Sequence, residues 1–103
     1  MPIMEISVVP LGTIKPSVSQ YVARSIKILQ GENNITYQLT AMGTIVEGDS
    51  IEQLLAIASK MHHSVFDDTV KRVVTTIKID DRKDKKTTIS NKVQSVEEKL
   101  KRQ

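Results

Sequence analysis

The chain has no cysteine and no tryptophan, and only three aromatic residues, Tyr21, Tyr37 and Phe66. The missing thiol excludes disulfides, thiolate nucleophiles and thiolate metal sites. It agrees with a reducing cytosol, so a cytoplasmic location is expected. With so few aromatics the core must be aliphatic, with Met4, Met42 and Met61 as adaptable filler. No apolar run approaches the ~20 residues that span a bilayer. The opening MPIMEISVVP lacks a basic n-region and carries Glu5, so neither a signal peptide nor a membrane partner is expected. Gly12, Gly43 and Gly48 stand alone, outside any GxGxxG or P-loop pattern, and read as turn residues.

What is present fits one domain over residues 1–103, a length that supports one core. The net charge of +3 hides an asymmetry: residues 1–70 hold four basic and seven acidic residues, residues 71–103 eleven and five. A basic final third is one footprint of nucleic-acid binding. That third has no aromatic on which a base could stack, and its acidic residues are interspersed, so no nucleic-acid partner is expected.

Hydrophobic periodicity orders the elements. Residues 3–9 alternate as a strand, with Met4, Ile6 and Val8 on one face and Glu5, Ser7 and Val9 on the other. A helix is expected from Ser17, with Gln20 at capping-box spacing and Val18, Val22, Ile26 and Leu29 as its apolar stripe, stopped by Gly31. Residues 35–41 and 44–47 read as two strands close enough for a hairpin. Ser50 opens a second helix, again with Gln53 three residues on, and Ile51, Leu54, Leu55, Ala58, Met61 and Val65 form its stripe. Residues 72–79 make the last strand, placing Val73, Thr75, Ile77 and Ile79 on one face and Arg72, Val74, Thr76 and Lys78 on the other. From about residue 90 to 101 a terminal helix carries a narrow seam, Ile89, Val93, Val96 and Leu100. The order predicts an α+β fold, a ferredoxin-like β-α-β-β-α-β sandwich with an extra C-terminal helix.

Candidate chemistry is thin. His62 and His63 are adjacent, so on a helix they point about 100° apart and cannot chelate one ion together. No metal site and no cofactor are expected. Asp80 and Asp81 sit among Arg82, Lys83 and Lys85 and should stay ionised; Asp67 and Asp68 fall at a helix end. Neither pair has a nucleophile and base beside it, so no catalytic residue is assigned and the chain is not expected to be an enzyme. A more informative group is the hydroxyl set Ser7, Thr13, Ser17, Ser19, Thr40, Thr44, Thr75 and Thr76. β-propensity and helix capping account for most of it. A small polar pocket for a neutral heterocycle, walled by methionine and aliphatic groups, is the functional alternative.

Four segments resemble one family: SVVPLGT at 7–13, SxSxxV at 17–22, MGTIVEG at 42–48 and KRVVTTIKIDDRxDK at 71–85. They resemble the thiamine-binding protein family of the YkoF-like superfamily, formerly a domain of unknown function, over about residues 3–100. The resemblance implies a ferredoxin-like fold, assembly as homodimers or homotetramers, and non-catalytic binding of thiamine or its hydroxymethylpyrimidine part. An aminopyrimidine offers an amine donor and ring-nitrogen acceptors. On that resemblance Ser7, Thr40, Thr44 and Thr75 are candidate hydroxyl partners, with backbone groups at Met42 and Gly43, Met42 packed on the ring, and Glu47 facing the cationic thiazolium. The alternative function is an oligomeric assembly module without a small-molecule ligand, motivated by the half-polar sheet face and the seam Ile89–Leu100. Asp80 to Lys86 is expected to be a self-paired charged turn leading into the terminal helix.

Overall fold

The computed structural model describes residues 1–13, 17–84 and 88–102. It has seven elements: β1 (Ile3–Leu11), α1 (Ser19–Gln30), β2 (Thr36–Leu39), β3 (Thr44–Glu47), α2 (Ile51–Ser64), β4 (Arg72–Asp80) and α3 (Ile89–Lys101). The strands form one antiparallel sheet in the order β2-β3-β1-β4. The result is a small α+β fold in which α1 and α2 pack on the sheet and on each other.

The alternation of β1 fixes which face is covered. Met4, Ile6 and Val8 point at the helices, opposite Ile79, Ile77 and Thr75 of β4. Met4 and Ile6 also lie opposite Val46 and Thr44 of β3. Tyr21 and Leu29 of α1, Leu54, Ile57, Ala58 and Met61 of α2, and Val65 and Val70 beyond it complete this core. Glu5, Ser7 and Val9 face the other way, beside Lys78, Thr76 and Val74. A one-residue slip would exchange the two sets, so the pattern specifies the register.

Local signals explain α2 better than α1. Ser50 caps α2, its hydroxyl accepting from the Gln53 amide at 3.1 Å, as the spacing predicts. Gln53 departs from a full capping box: its Oε1 accepts from the Asp49 amide at 2.7 Å. Helix α1 starts two residues later than expected. Val18 is its N-cap, with no side-chain hydrogen bond, and the Ser17 hydroxyl only grazes the Ser19 amide at 3.5 Å. The Val18 carbonyl, one residue past Ser17, accepts the first helical bonds, from Tyr21 and Val22 at 3.0 Å each. Both stripes also shift. Tyr21, Ser25 and Leu29 are the buried residues of α1, and in α2 Ile57 is buried while Leu55 is exposed. Position 57 shares the buried face of the helix with Leu54, Ala58 and Met61, and position 55 lies off it.

Helix α3 forms where the seam predicts, yet none of its residues is buried. Thr88 caps it, accepting from the Asn91 amide at 3.1 Å. Two contacts tie its first turn to the open sheet face: the Ile89 amide donates to Glu47 Oε2 at 2.8 Å, and Lys92 pairs with Asp80. Beyond that turn Val93, Val96 and Leu100 are 51–62% exposed. Of the expected charged turn, Arg82–Asp84 and Lys83–Asp81 pair as foreseen, whereas Lys85 and Lys86 lie outside the described residues.

Candidate functional site

The hydroxyl candidates converge where the sheet is incomplete. Strand β3 is four residues long and its pairing with β1 stops at Ile6 opposite Thr44. The pairing of β1 with β4 runs on to Leu11 opposite Arg72. Among the described residues, β1 therefore has no strand on its β3 side from Ser7 onward. The opening is a cavity of about 280 Å³. Ile6 to Val9 form its floor, Val18 and Val22 of α1 one wall, and the β2–β3 turn, Leu39 to Thr44, the other.

Five of the seven residues singled out in the sequence line this cavity: Ser7, Thr40, Met42, Gly43 and Thr44. Their roles differ. Thr40 builds the turn. Its hydroxyl donates to the Gly43 carbonyl at 2.8 Å and accepts from the Gly43 and Met42 amides at 3.1 and 3.3 Å. The Thr40 amide donates to the same Gly43 carbonyl at 2.8 Å. With its proton directed inward, Thr40 has no donor left for a guest. Gly43 allows the turn to press on β1, since a Cβ there would stand 3.0 Å from the Ile6 carbonyl oxygen. Thr44 is buried at the base of β3. Met42 is 86% exposed at the turn tip, a flexible side chain free to fold over the opening. Ser7 is half-buried, and its hydroxyl has no hydrogen-bond partner among the described residues.

Glu47 and Thr75 stand apart from this cavity. Glu47 is 8% exposed at the far end of β3, where Oε2 accepts from Ile89. Thr75 lies on β4, its Oγ1 2.6 Å from His62 Nδ1. His62 itself meets the rings of His63 and Phe66 edge-on at 5.4 Å. Among the described residues no cluster of three His, Asp or Glu could hold a metal ion. No helix among them is long and apolar enough to cross a membrane.

Among the described residues the cavity lining has no ionisable side chain. The strongly perturbed groups lie elsewhere and are structural. Arg24, 2.8 Å away, holds the Asp67 carboxyl well below the usual range, helped by Thr69 and the Val70 amide. Lys92 lowers Asp80 in the same way. What the cavity offers is a hydroxyl, the free edge of a strand and aliphatic walls, a set suited to holding a small flat polar ring.

A family model described as thiamine-binding protein matches residues 4–97. The chain belongs to the thiamine-binding protein family. It is 46% identical over 103 residues to the UPF0045 protein YqgV of Bacillus subtilis, covering 97% of this chain and 98% of that one. A UPF0045 protein of Methanothermobacter thermautotrophicus is 38% identical over 96 residues, 93% of this chain and 96% of the other. Among solved structures, the hypothetical protein MJ1052 of Methanocaldococcus jannaschii superposes with a TM-score of 0.85 at 38% identity, covering 94% and 96% of the two chains.

Sequence reasoning missed the cavity walls, Val18, Val22, Leu39 and Ala41, and the strand edge itself. One signal was available: the four-residue strand read at 44–47, beside the longer one read at 3–9, must leave part of the longer one unpaired.

Proposed function

We propose that this member of the thiamine-binding protein family binds the hydroxymethylpyrimidine part of thiamine, or thiamine through that part, without catalysing a reaction on it. The observation that carries the reading is the edge of β1, unpaired among the described residues, opening into the cavity beside a Ser7 hydroxyl that has no partner among them. An aminopyrimidine presents an amine donor next to a ring-nitrogen acceptor, and a strand edge presents carbonyls and amides in alternation. Met42 would close over the ring, and Val18, Val22 and Leu39 would exclude water from its faces. About 280 Å³ lies just under the roughly 300–1,000 Å³ of drug-sized sites, which favours a single ring over the whole vitamin. No carboxylate lines the cavity to meet a thiazolium cation, and Glu47 is occupied elsewhere.

In this reading the fold is ferredoxin-like, supported by the order β-α-β-β-α-β and by α1 and α2 sharing one sheet face. The protein works as a homodimer or homotetramer; the exposed seam of α3 supports self-association. The cysteine-free composition supports a cytoplasmic setting. The same seam also favours a second reading, an assembly module with no ligand.

Titration calorimetry with hydroxymethylpyrimidine, thiamine and thiamine phosphates separates the two. Binding of the pyrimidine is expected, with Ser7→Ala weakening it by roughly tenfold, the worth of one hydrogen bond. No heat and no thermal shift at millimolar concentrations of any of these ligands would leave only the assembly reading.

A further inference from the structure

Three of the hydroxyls singled out in the sequence, Thr13, Ser17 and Ser19, stand outside the cavity described above. They line a second one, of about 520 Å³, between the end of β1 and the start of α1, with Tyr21 and Thr69 also in its lining. The two cavities lie on different faces of the first turns of α1: Val18 and Val22 wall the first, Gln20 and Tyr21 the second. Gly12, in the left-handed region at φ 78°, turns the chain at the rim of the second.

The polar groups around this cavity are mostly donors. Tyr21 is only 7% exposed, and its phenol has no hydrogen-bond partner among the described residues. None of their side-chain polar atoms is both sealed from solvent and unpartnered, so the phenol oxygen opens onto the cavity that Tyr21 lines. Arg24 covers the ring, its guanidinium carbon 4.9 Å from the ring centroid. Helix α1 starts with no side-chain cap and no acidic residue in its first turn. Among the described residues the Gln20 amide has no acceptor, and the Ser19 amide has only the Ser17 hydroxyl at 3.5 Å. The Ser17 and Ser19 hydroxyls share one hydrogen bond at 3.2 Å, which leaves one of their two protons free. Thr69 adds no donor, since its hydroxyl donates to Asp67 Oδ1 at 2.8 Å. The other Asp67 oxygen meets Arg24, so that charge is compensated behind the wall. Among the described residues the lining itself holds no carboxylate.

We propose that this second cavity binds the phosphate group of a small organic phosphate ester, its oxygens accepting from the Gln20 and Ser19 amides, the Ser17–Ser19 hydroxyl pair and the Tyr21 phenol. Two independent features converge on an acceptor-rich guest. The open amides at the start of α1 carry the positive end of the helix dipole. The Tyr21 phenol is buried at a cost that a guest acceptor would remove. A phosphate dianion presents acceptors in several directions and no donor, whereas a sugar or an amine would set donors against donors. The cavity falls within the roughly 300–1,000 Å³ of small-molecule sites and is larger than a bare phosphate ion, which leaves room for the rest of an ester. The site is separate from the pyrimidine cavity and does not depend on that reading.

Amide NMR of the full chain, titrated with glycerol 3-phosphate and separately with inorganic phosphate, tests this. Saturable shifts of the Ser19 and Gln20 amides are expected with both, at lower concentration for the ester. Tyr21→Phe removes only the hydroxyl and should weaken binding of the ester by roughly tenfold, the worth of one hydrogen bond to a charged group. The same variant should bind hydroxymethylpyrimidine as the parent does. Ser17→Asp sets a carboxylate over the open amides, so it should abolish phosphate binding and raise the melting temperature. Unmoved Ser19 and Gln20 amides at millimolar ester, or parental affinity in Tyr21→Phe, would overturn the proposal. Inorganic phosphate binding as tightly as the ester would overturn the assignment to an ester. Loss of pyrimidine and phosphate binding together in Tyr21→Phe would show a single site and overturn the second one.

Discussion

Helices α2 and α3 are nearly equal in length, fourteen and thirteen residues, and each opens on a hydroxyl that accepts from the amide three residues on, at 3.1 Å. Each carries an apolar stripe. Yet α2 buries Leu54, Ile57, Ala58 and Met61, and α3 buries nothing. Capping and periodicity decide that a helix forms and which face is greasy; they do not say what meets that face. For α2 the answer is the sheet and α1. For α3 nothing among the described residues buries that face beyond its first turn.

Substitutions can break this contrast. The largest effect is expected for Leu54→Ala, which opens a void under α2 and should cost about 2–5 kcal/mol in urea unfolding. Ser50→Ala should cost about 1 kcal/mol by removing the cap of a helix that belongs to the core. The equivalent change on α3, Thr88→Ala, should leave the main unfolding midpoint nearly in place and instead speed hydrogen exchange in the first turn of α3. Equal losses in the two cap variants would show that α3 unfolds with the core.

Asp67 gives a pH-dependent contrast with the core. Its carboxyl is depressed in the folded state by Arg24, so its contribution is fully present above the ordinary carboxylate range and is lost as pH falls below about 4. Asp67→Asn should therefore lower the melting temperature at pH 7, with the gap to the parent closing as pH drops toward 2. A gap constant with pH would assign Asp67 a role independent of its charge. The smallest effect is expected for Val96→Ala. In dilute monomer it should change stability by under ~0.5 kcal/mol, while self-association at higher concentration weakens if the seam is a contact.

Much of the fold was legible because it is written in short-range pattern. The alternation Met4-Ile6-Val8, the Ser50 cap and the seam from Ile89 to Leu100 each depend on neighbours within one or two turns or on strict period two. What was not legible depends on distant geometry. Ser17 looks like a cap until the chain places Val18 at the first helical carbonyl. Thr40 looks like a ligand hydroxyl until the turn aims it at Gly43. Leu55 matches an apolar stripe, but the position of α1 decides which side of α2 is covered. The candidate site was half visible: the turn residues and Ser7 stood out as hydroxyls and a methionine, whereas Val18 and Val22 become walls only because α1 lies across the end of β1.

The most direct test of the binding account is methyl NMR of the full chain, labelled at Ile, Leu, Val and Met, titrated with hydroxymethylpyrimidine. The account predicts saturable shifts at Met42, Leu39, Val18 and Val22, with Ile79 on β4 and Val96 and Leu100 on α3 unmoved. Shifts gathered on α3 or the open sheet face, or none at millimolar ligand, would contradict it.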